Sequence, residues 1–340
     1  MQWFRRWFQS RQRRPAGPLG SDGRLRSDLW LDGPDAAERV EERRASGELS
    51  EGDAEELTRW AERGYARLSI DAGDRLVREV DETVERLWEE RPASVAVASD
   101  GPLKRLRDAD PAAERRPGYR ISNLHSASEG ALDLYLHPEI HHLVERIFDQ
   151  PPVAIQSIYF EWGSGQPLHR DPMHVYTAPP SHLIGAWIAL EDIGPDCGPL
   201  TYVPGSHRLP YYQFSPGEYR VQHGTHGEED VRRAEAFDRE QCRRRGLEQE
   251  LFTCRRGEVL LWHASLLHGG APLRDPSRTR KSLVIHFSTA AHYRRLRQTV
   301  VEPGPDGAPR GRAVGTDRLL ERDGRRGFDN PLREVARAST

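Results

Sequence analysis

Apolar residues recur at helical spacing in the first part of the chain and alternate in the second. The polar segment 35–46 (DAAERVEERRAS) predicts a surface helix, and 51–63 follows with Leu57, Trp60 and Ala61 on one stripe. The run DRLVREVDETVERLW sets Leu76, Val77, Val80, Val84, Leu87 and Trp88 on one face. HPEIHHLVERIF repeats the pattern with Ile140, Leu143, Val144, Ile147 and Phe148, and Pro138 fits a first helical position. A polar, breaker-rich stretch, 91–118, separates these two runs.

From residue 153 the period falls to two. VAIQSIYFEW (153–162), LIGAWIAL (183–190), PLTYVPG (199–205), EVLLWH (258–263) and SLVIHFS (282–288) are rich in β-branched and aromatic residues. Gly, Pro and Asp bound them. Short strands with long connections, and no helix between each pair, predict an antiparallel jelly-roll barrel over a parallel α/β sheet. The fold class is therefore mainly β with a helical N-terminal layer, α+β. One connection, 208–250, is long and charged, with a helical piece EEDVRRAEAFDREQCRRRG; such a length marks a lid or an insertion.

Composition trims the picture. Arg-, Gly- and Pro-rich ends predict a disordered arm over 1–34 and a largely disordered tail over 296–340, leaving one domain at 35–295. The formal charge is -3, with 50 basic against 53 acidic residues, which argues against a nucleic-acid partner. All the basic residues but Lys104 and Lys281 are arginine, a coding bias for the most part. Three scattered cysteines (Cys197, Cys242, Cys254) form neither a disulfide framework nor a zinc module. No apolar run approaches the ~18 residues of a membrane span, so no stable membrane insertion is expected. The N-terminus lacks the apolar core of a signal peptide, and the expected compartment is the cytoplasm.

Fourteen histidines invite a metal hypothesis, and most are discounted. His141 and His142 fall on an amphipathic helix; His125, His223 and His226 fall in polar loops. GSGQPLHRDPMHVY differs. His169 and Asp171 are two apart, so on an extended strand both face one way and can reach one ion. RRGEVLLWHASLLHGGAP offers a second histidine. His268 precedes Gly269 and Gly270, which permit close approach, and it is preferred over its rival His263. Two His and one carboxylate on one face, with three open positions, suit non-haem Fe(II). Arg280 lies twelve residues after His268. A hairpin between their strands would return it to the metal, where its planar fork could hold the far carboxylate of a keto acid. Arg278 shares its parity and is the rival.

These segments resemble the phytanoyl-CoA dioxygenase family of Fe(II)/2-oxoglutarate oxygenases. The likeness lies in ERGYARLS (62–69), YFEWGSGQPLHRD (159–171), GPLTYVPGSHR (198–208), GEVLLWHASLLHGG (257–270) and RKSLVIHF (280–287). It implies a double-stranded β-helix (jelly-roll, cupin-like) core. It implies iron at His169, Asp171 and His268, and 2-oxoglutarate at Arg280, with Trp187 lining the cosubstrate and Gln156 and Tyr159 as weaker pocket candidates. His207, in the Pro-Gly-Ser-His loop, is a structural feature of the family. The implied reaction consumes O2 and 2-oxoglutarate, releases succinate and CO2, and hydroxylates a small-molecule or acyl substrate. Related halogenases replace the carboxylate with a small residue, so Asp171 favours hydroxylation. The alternative is a catalytically silent metabolite-binding jelly roll. Arg170 departs from the pattern, because a small or amide residue is usual inside His-x-Asp. The loop after His268 also lacks the usual Asn and Ser.

Overall fold

The computed structural model describes residues 18–332, except 100, 176, 223–224, 293–297, 304–308 and 315–317, and gives only the backbone for 298–303 and 309–314. Helices α1 (Ala36–Ala45) and α2 (Glu51–Arg63) lead into β1 (Tyr65–Ser69). Ser50 starts α2 by accepting the Asp53 amide on its hydroxyl at 3.0 Å, as an N-cap should. Helix α3 (Asp74–Glu90) buries Leu76, Val80, Val84, Leu87 and Trp88, while Val77 sits at the stripe's edge. The breaker-rich stretch is more ordered than its composition indicates. It carries β2 (Ala96–Ala98), β3 (Lys104–Arg105) and the short α4 (Pro111–Glu114), followed by β4 (Arg120–Ser122). Helices α5 (Glu129–Tyr135) and α6 (Pro138–Phe148) complete the layer.

The strand-rich part then runs β5 (Pro152–Phe160), β6 (Ile184–Ala189), β7 (Leu200–Tyr202), α7 (Glu228–Arg244), β8 (Glu250–Phe252), β9 (Glu258–His263), β10 (His268–Gly270) and β11 (Ser282–Thr289). It ends with β12 (Gln298–Pro303), β13 (Pro309–Val314), β14 (Arg318–Arg322) and β15 (Arg325–Asp329). The large sheet has the order β1-β9-β6-β11-β5-β4-β2-β3 and is antiparallel along that path; β15 joins β5 in parallel and pairs with β14. The small sheet is β10-β7-β8.

Alternation along the strands gives the large sheet two apolar faces. Its outer face (Ile121, Tyr159, Leu261, Leu283, Ile285) packs on the helices together with Leu57, Val84 and Ile147. Its inner face (Phe160, Trp187, Leu260, Trp262, Val284) meets Leu200, Tyr202 and Phe252 of the small sheet. This is the expected jelly roll with its helical layer. Each fully buried aliphatic side chain there contributes roughly 1.5–3 kcal/mol over exposure.

The expected ends need correction. Leu29, Trp30 and Leu31 are buried, and the Trp30 indole donates to the Arg146 carbonyl at 3.0 Å. Three apolar residues suffice to dock a polar segment, so the expected arm of 1–34 is ordered over 18–34. The expected tail likewise contains two strand pairs, β12–β13 and β14–β15. Asp323 and Gly324, with φ of 49° and 79°, form the tight turn of the second. The rest of both ends, 1–17 and 333–340, and His223 lie outside the described residues.

Candidate metal centre

The segment before Asp171 runs beside β10. His169 and His268 exchange both backbone hydrogen bonds, at 2.9 and 3.1 Å, as a directly opposed antiparallel pair. Opposed residues share a face, so the two imidazoles stand side by side with ring centroids 4.5 Å apart. Gly269 permits this approach: a Cβ there would lie 2.6 Å from the Gln166 carbonyl oxygen. Asp171 opens a short turn, Asp171–Met173, at the end of that segment. One donor atom from each of His169, Asp171 and His268 falls within 4.8 Å of the others, and this is the one such group of three among the described residues.

Hydrogen bonds determine which nitrogens are left for an ion. His169 Nδ1 lies 2.9 Å from the Pro167 carbonyl, and His268 Nδ1 lies 3.0 Å from the Leu266 carbonyl. A carbonyl only accepts, so each Nδ1 carries the proton and each Nε2 presents a lone pair. Burial pulls His268 down to about 4, against the opposing charge of Asp171, so its ring is neutral at neutral pH. Burial alone would raise the Asp171 carboxyl; His268, His286 and His169 overcome it and hold Asp171 well below the usual carboxylate range.

Two residues that sequence reasoning missed orient Asp171. The Trp262 indole donates to Oδ2 at 2.7 Å, and His286 Nε2 lies 3.3 Å from the same oxygen. Gly185, opposite Trp262, leaves room for the indole to lie across the strand; a Cβ there would overlap the ring. Gln156 Nε2 donates to His286 Nδ1 at 2.7 Å, which turns the protonated Nε2 toward the carboxylate. Asp171 Oδ1 is then left toward His268 Nε2, at 3.6 Å. His286 could have been found from parity, because 280, 282, 284 and 286 alternate onto one face. No local motif marks Trp262.

Arg280 is buried at 2 % exposure. It donates to Ser282 Oγ at 3.3 Å and to the Trp162 carbonyl at 3.4 Å, and its Nε has no partner. No carboxylate among the described residues lies within ion-pair distance of it. Phe160 and Trp187 flank the guanidinium, each ring centroid 5.5 Å away. Burial lowers its pKa to about 10, partly offset by Cys197, Cys254 and Glu191, so it stays charged at neutral pH. A buried, unpaired charge costs several kcal/mol, and an incoming carboxylate would relieve that cost.

The remaining expectations divide. Arg278, the rival, is exposed, whereas Arg280 is buried. Trp187, expected to line the cosubstrate, stands beside Arg280. Gln156 faces the site but acts on His286. Tyr159 does not reach the site: it opposes Leu283 and packs in the helix-side core, because odd positions of this part of β5 face outward. The expected hairpin is absent. Strand β10 pairs with β7 and β11 with β5 and β6, so the chain crosses from one sheet to the other before Arg280.

A jelly roll carrying two histidines and a carboxylate on one rim, with a buried arginine between its sheets, defines a class of facial metal-site barrels. The family model described as phytanoyl-CoA dioxygenase (PhyH) matches residues 53–282, and the chain belongs to that family. A mouse relative, phytanoyl-CoA dioxygenase domain-containing protein 1, is 36% identical over 74 residues, covering 21% of this chain and 25% of its own. The human peroxisomal phytanoyl-CoA dioxygenase is 29% identical over 134 residues, covering 38% and 36%. The match thus spans about a quarter to a third of these relatives. Among solved structures, the carbocyclase SnoK superposes with a TM-score of 0.52 at 19% identity, over 72% of this chain and 86% of its own. The epimerase SnoN, solved with Fe3+, alpha ketoglutarate and nogalamycin RO, gives 0.51 at 19%, over 87% and 99%. EctD from S. alaskensis with bound Fe gives 0.51 at 17%, over 73% and 81%. These likenesses establish the fold. No described helix is long and apolar enough to cross a membrane.

Proposed function

We propose that this protein is an Fe(II)- and 2-oxoglutarate-dependent dioxygenase that hydroxylates a small-molecule or acyl substrate. The observation that carries the reading is an unpaired, buried guanidinium in the same barrel as a three-donor cluster with free Nε2 atoms. The donor set suits the metal: two imidazoles and one carboxylate on one face leave three positions open. His169, Asp171 and His268 would hold the iron. When bound, Fe(II) supplies the activation of O2 that drives oxidative decarboxylation of 2-oxoglutarate to succinate and CO2.

The chain's own residues set the conditions. The Trp262 indole fixes Asp171 by one oxygen, with His286 Nε2 3.3 Å from the same atom, and the other oxygen is left for the metal. Arg280 would receive the far carboxylate of 2-oxoglutarate through two parallel hydrogen bonds. Trp187 and Phe160 wall that carboxylate off from water, which strengthens the ion pair. A carboxylate at 171 keeps that metal position from halide, so hydroxylation is the reaction favoured. The family relationship and the iron and alpha ketoglutarate named for SnoN support this reading. Purified protein with Fe(II) and O2 is expected to release succinate from 2-oxoglutarate, and H268A is expected not to. Stoichiometric iron with no succinate across acyl, amino-acid-like and natural-product substrates would favour the silent alternative.

A further inference from the structure

Arg170 stands between two of the three donors, yet its side chain faces away from them. It is fully buried, and its Nη2 donates to Asp238 Oδ1 of α7 at 2.7 Å. Nη1 donates to the Leu209 carbonyl at 3.2 Å, and the guanidinium carbon lies 4.4 Å from the Tyr211 ring centroid. Both charged side chains are nearly sealed, at 1% and 8% exposure. Alternation explains the direction: with His169 turned to the metal, Leu168 and Arg170 turn to the opposite face. That face is where α7 packs. Cys242 of α7 shares one apolar cluster with Leu168 and Leu267, the residues that precede His169 and His268.

Other contacts from the same connection reach both donor-bearing segments. The Tyr211 hydroxyl donates to Ser265 Oγ at 2.9 Å, three residues before His268. The Val221 amide donates to the carbonyl of Met173, on the turn that Asp171 opens, at 3.2 Å. Tyr211 and Tyr219 pack with Met173 and Ala234 into a cluster of their own.

We propose that residues 209–222 together with α7 form a buttress behind the metal centre, and that Arg170 is the positioning residue through which α7 sets where His169 and Asp171 stand. This rests on the iron reading above. It assigns the long connection to holding ligands, and it removes Arg170 from the set of groups available to an anionic substrate.

Coupling of this kind is reciprocal: if α7 positions the ligands, bound metal must steady α7. The test is hydrogen exchange of the full chain, metal-free and with anaerobic Fe(II), alongside an iron-affinity titration. Asp238→Asn leaves the Arg170 charge buried and unpaired and risks misfolding, so R170Q/D238N, which removes both charges, is measured beside it. In the unaltered protein, Fe(II) is expected to slow exchange across α7. In both variants that slowing is lost and iron binds about 10-fold or more weakly, the range for losing an outer-sphere partner. Exchange in α3, within the helical layer, should not differ between the proteins. A double variant with unchanged iron affinity, or α7 exchange indifferent to metal in the unaltered protein, overturns the buttress and leaves the iron reading standing. An unaltered protein that takes up no Fe(II) overturns both.

Discussion

Two of the histidine–aspartate clusters among the described residues are built from the same residue types and put to opposite uses. In one, His263 Nδ1 accepts the Ser265 amide at 2.9 Å and Nε2 lies 3.2 Å from Asp32 Oδ2. Both nitrogens are engaged by the protein. The ring also packs beside His207, whose pKa burial lowers to about 3. Asp32, which burial alone would raise, is held low by the charge and hydrogen bond of His263, with Ser27 and His207 adding to it. In the other cluster, each imidazole gives Nδ1 to a backbone carbonyl and keeps Nε2 for something outside the chain. Burial and an aspartate are common to both. What separates a ligand from a structural histidine is which nitrogen the fold leaves free.

Exchanging the two roles by mutation is the strongest way to break this contrast. H268A is expected to weaken iron binding beyond the roughly 10- to 100-fold that an outer-sphere loss costs, because it removes one of the three proposed ligands. H263A is expected to leave iron affinity unchanged but to cost about 3 kcal/mol of folding stability, since it strands the buried Asp32 charge. Iron titration and urea unfolding on both variants read the two effects. Equal losses of iron affinity would erase the distinction.

A third kind of histidine sharpens it through pH. His125 donates to the Phe328 carbonyl and His141 to the Tyr135 carbonyl, and burial lowers both to about 4 from 6.5. Between those values the unfolded chain binds more protons than the folded one, so stability is full above about pH 6.5 and falls as pH drops toward 4. Each contributes a loss on the order of 3 kcal/mol at the lower end. Thermal melts of metal-free protein from pH 7 to 4.5 should show Tm falling once pH drops below about 6.5; a flat profile would mean these rings are not held neutral.

The smallest effect concerns the carboxylate. W262F keeps the ring and loses the N–H that fixes Asp171 Oδ2, with an expected ~10-fold loss of iron affinity and little change in Tm. Unchanged iron affinity would assign the orientation of Asp171 to His286 alone.

Much of this was legible in the sequence where local rules govern. The amphipathic stripes of α2, α3 and α6 set helix boundaries because one face alone is apolar. His-x-Asp and the His-Gly-Gly run marked the donors because spacing and close approach are local properties. Long-range register was not legible. Nothing near residue 268 says that β10 and β11 belong to different sheets, so a hairpin was expected where the chain crosses between them. Gln156 and Tyr159, both pocket candidates by resemblance, have opposite parity on β5, and in a strand that sends one of them to the other face. Trp262 reads as an ordinary core aromatic until Asp171 is seen beneath it. Asp323–Gly324 is an Asp-Gly pair of the kind that turns a hairpin, set in a stretch whose Arg- and Gly-rich composition reads as a tail.

The most direct measurement is an anaerobic titration of 2-oxoglutarate into the Fe(II)-loaded protein, followed by visible charge-transfer absorption, with R280A in parallel. The expected result is a band that saturates at one equivalent in the unaltered protein. In R280A iron stays bound, but saturation shifts to higher 2-oxoglutarate by a factor corresponding to about 2–5 kcal/mol, the range for removing one partner of a buried charge pair. An iron-loaded protein that develops no band, or an R280A protein that saturates at the same concentration, would contradict the assignment.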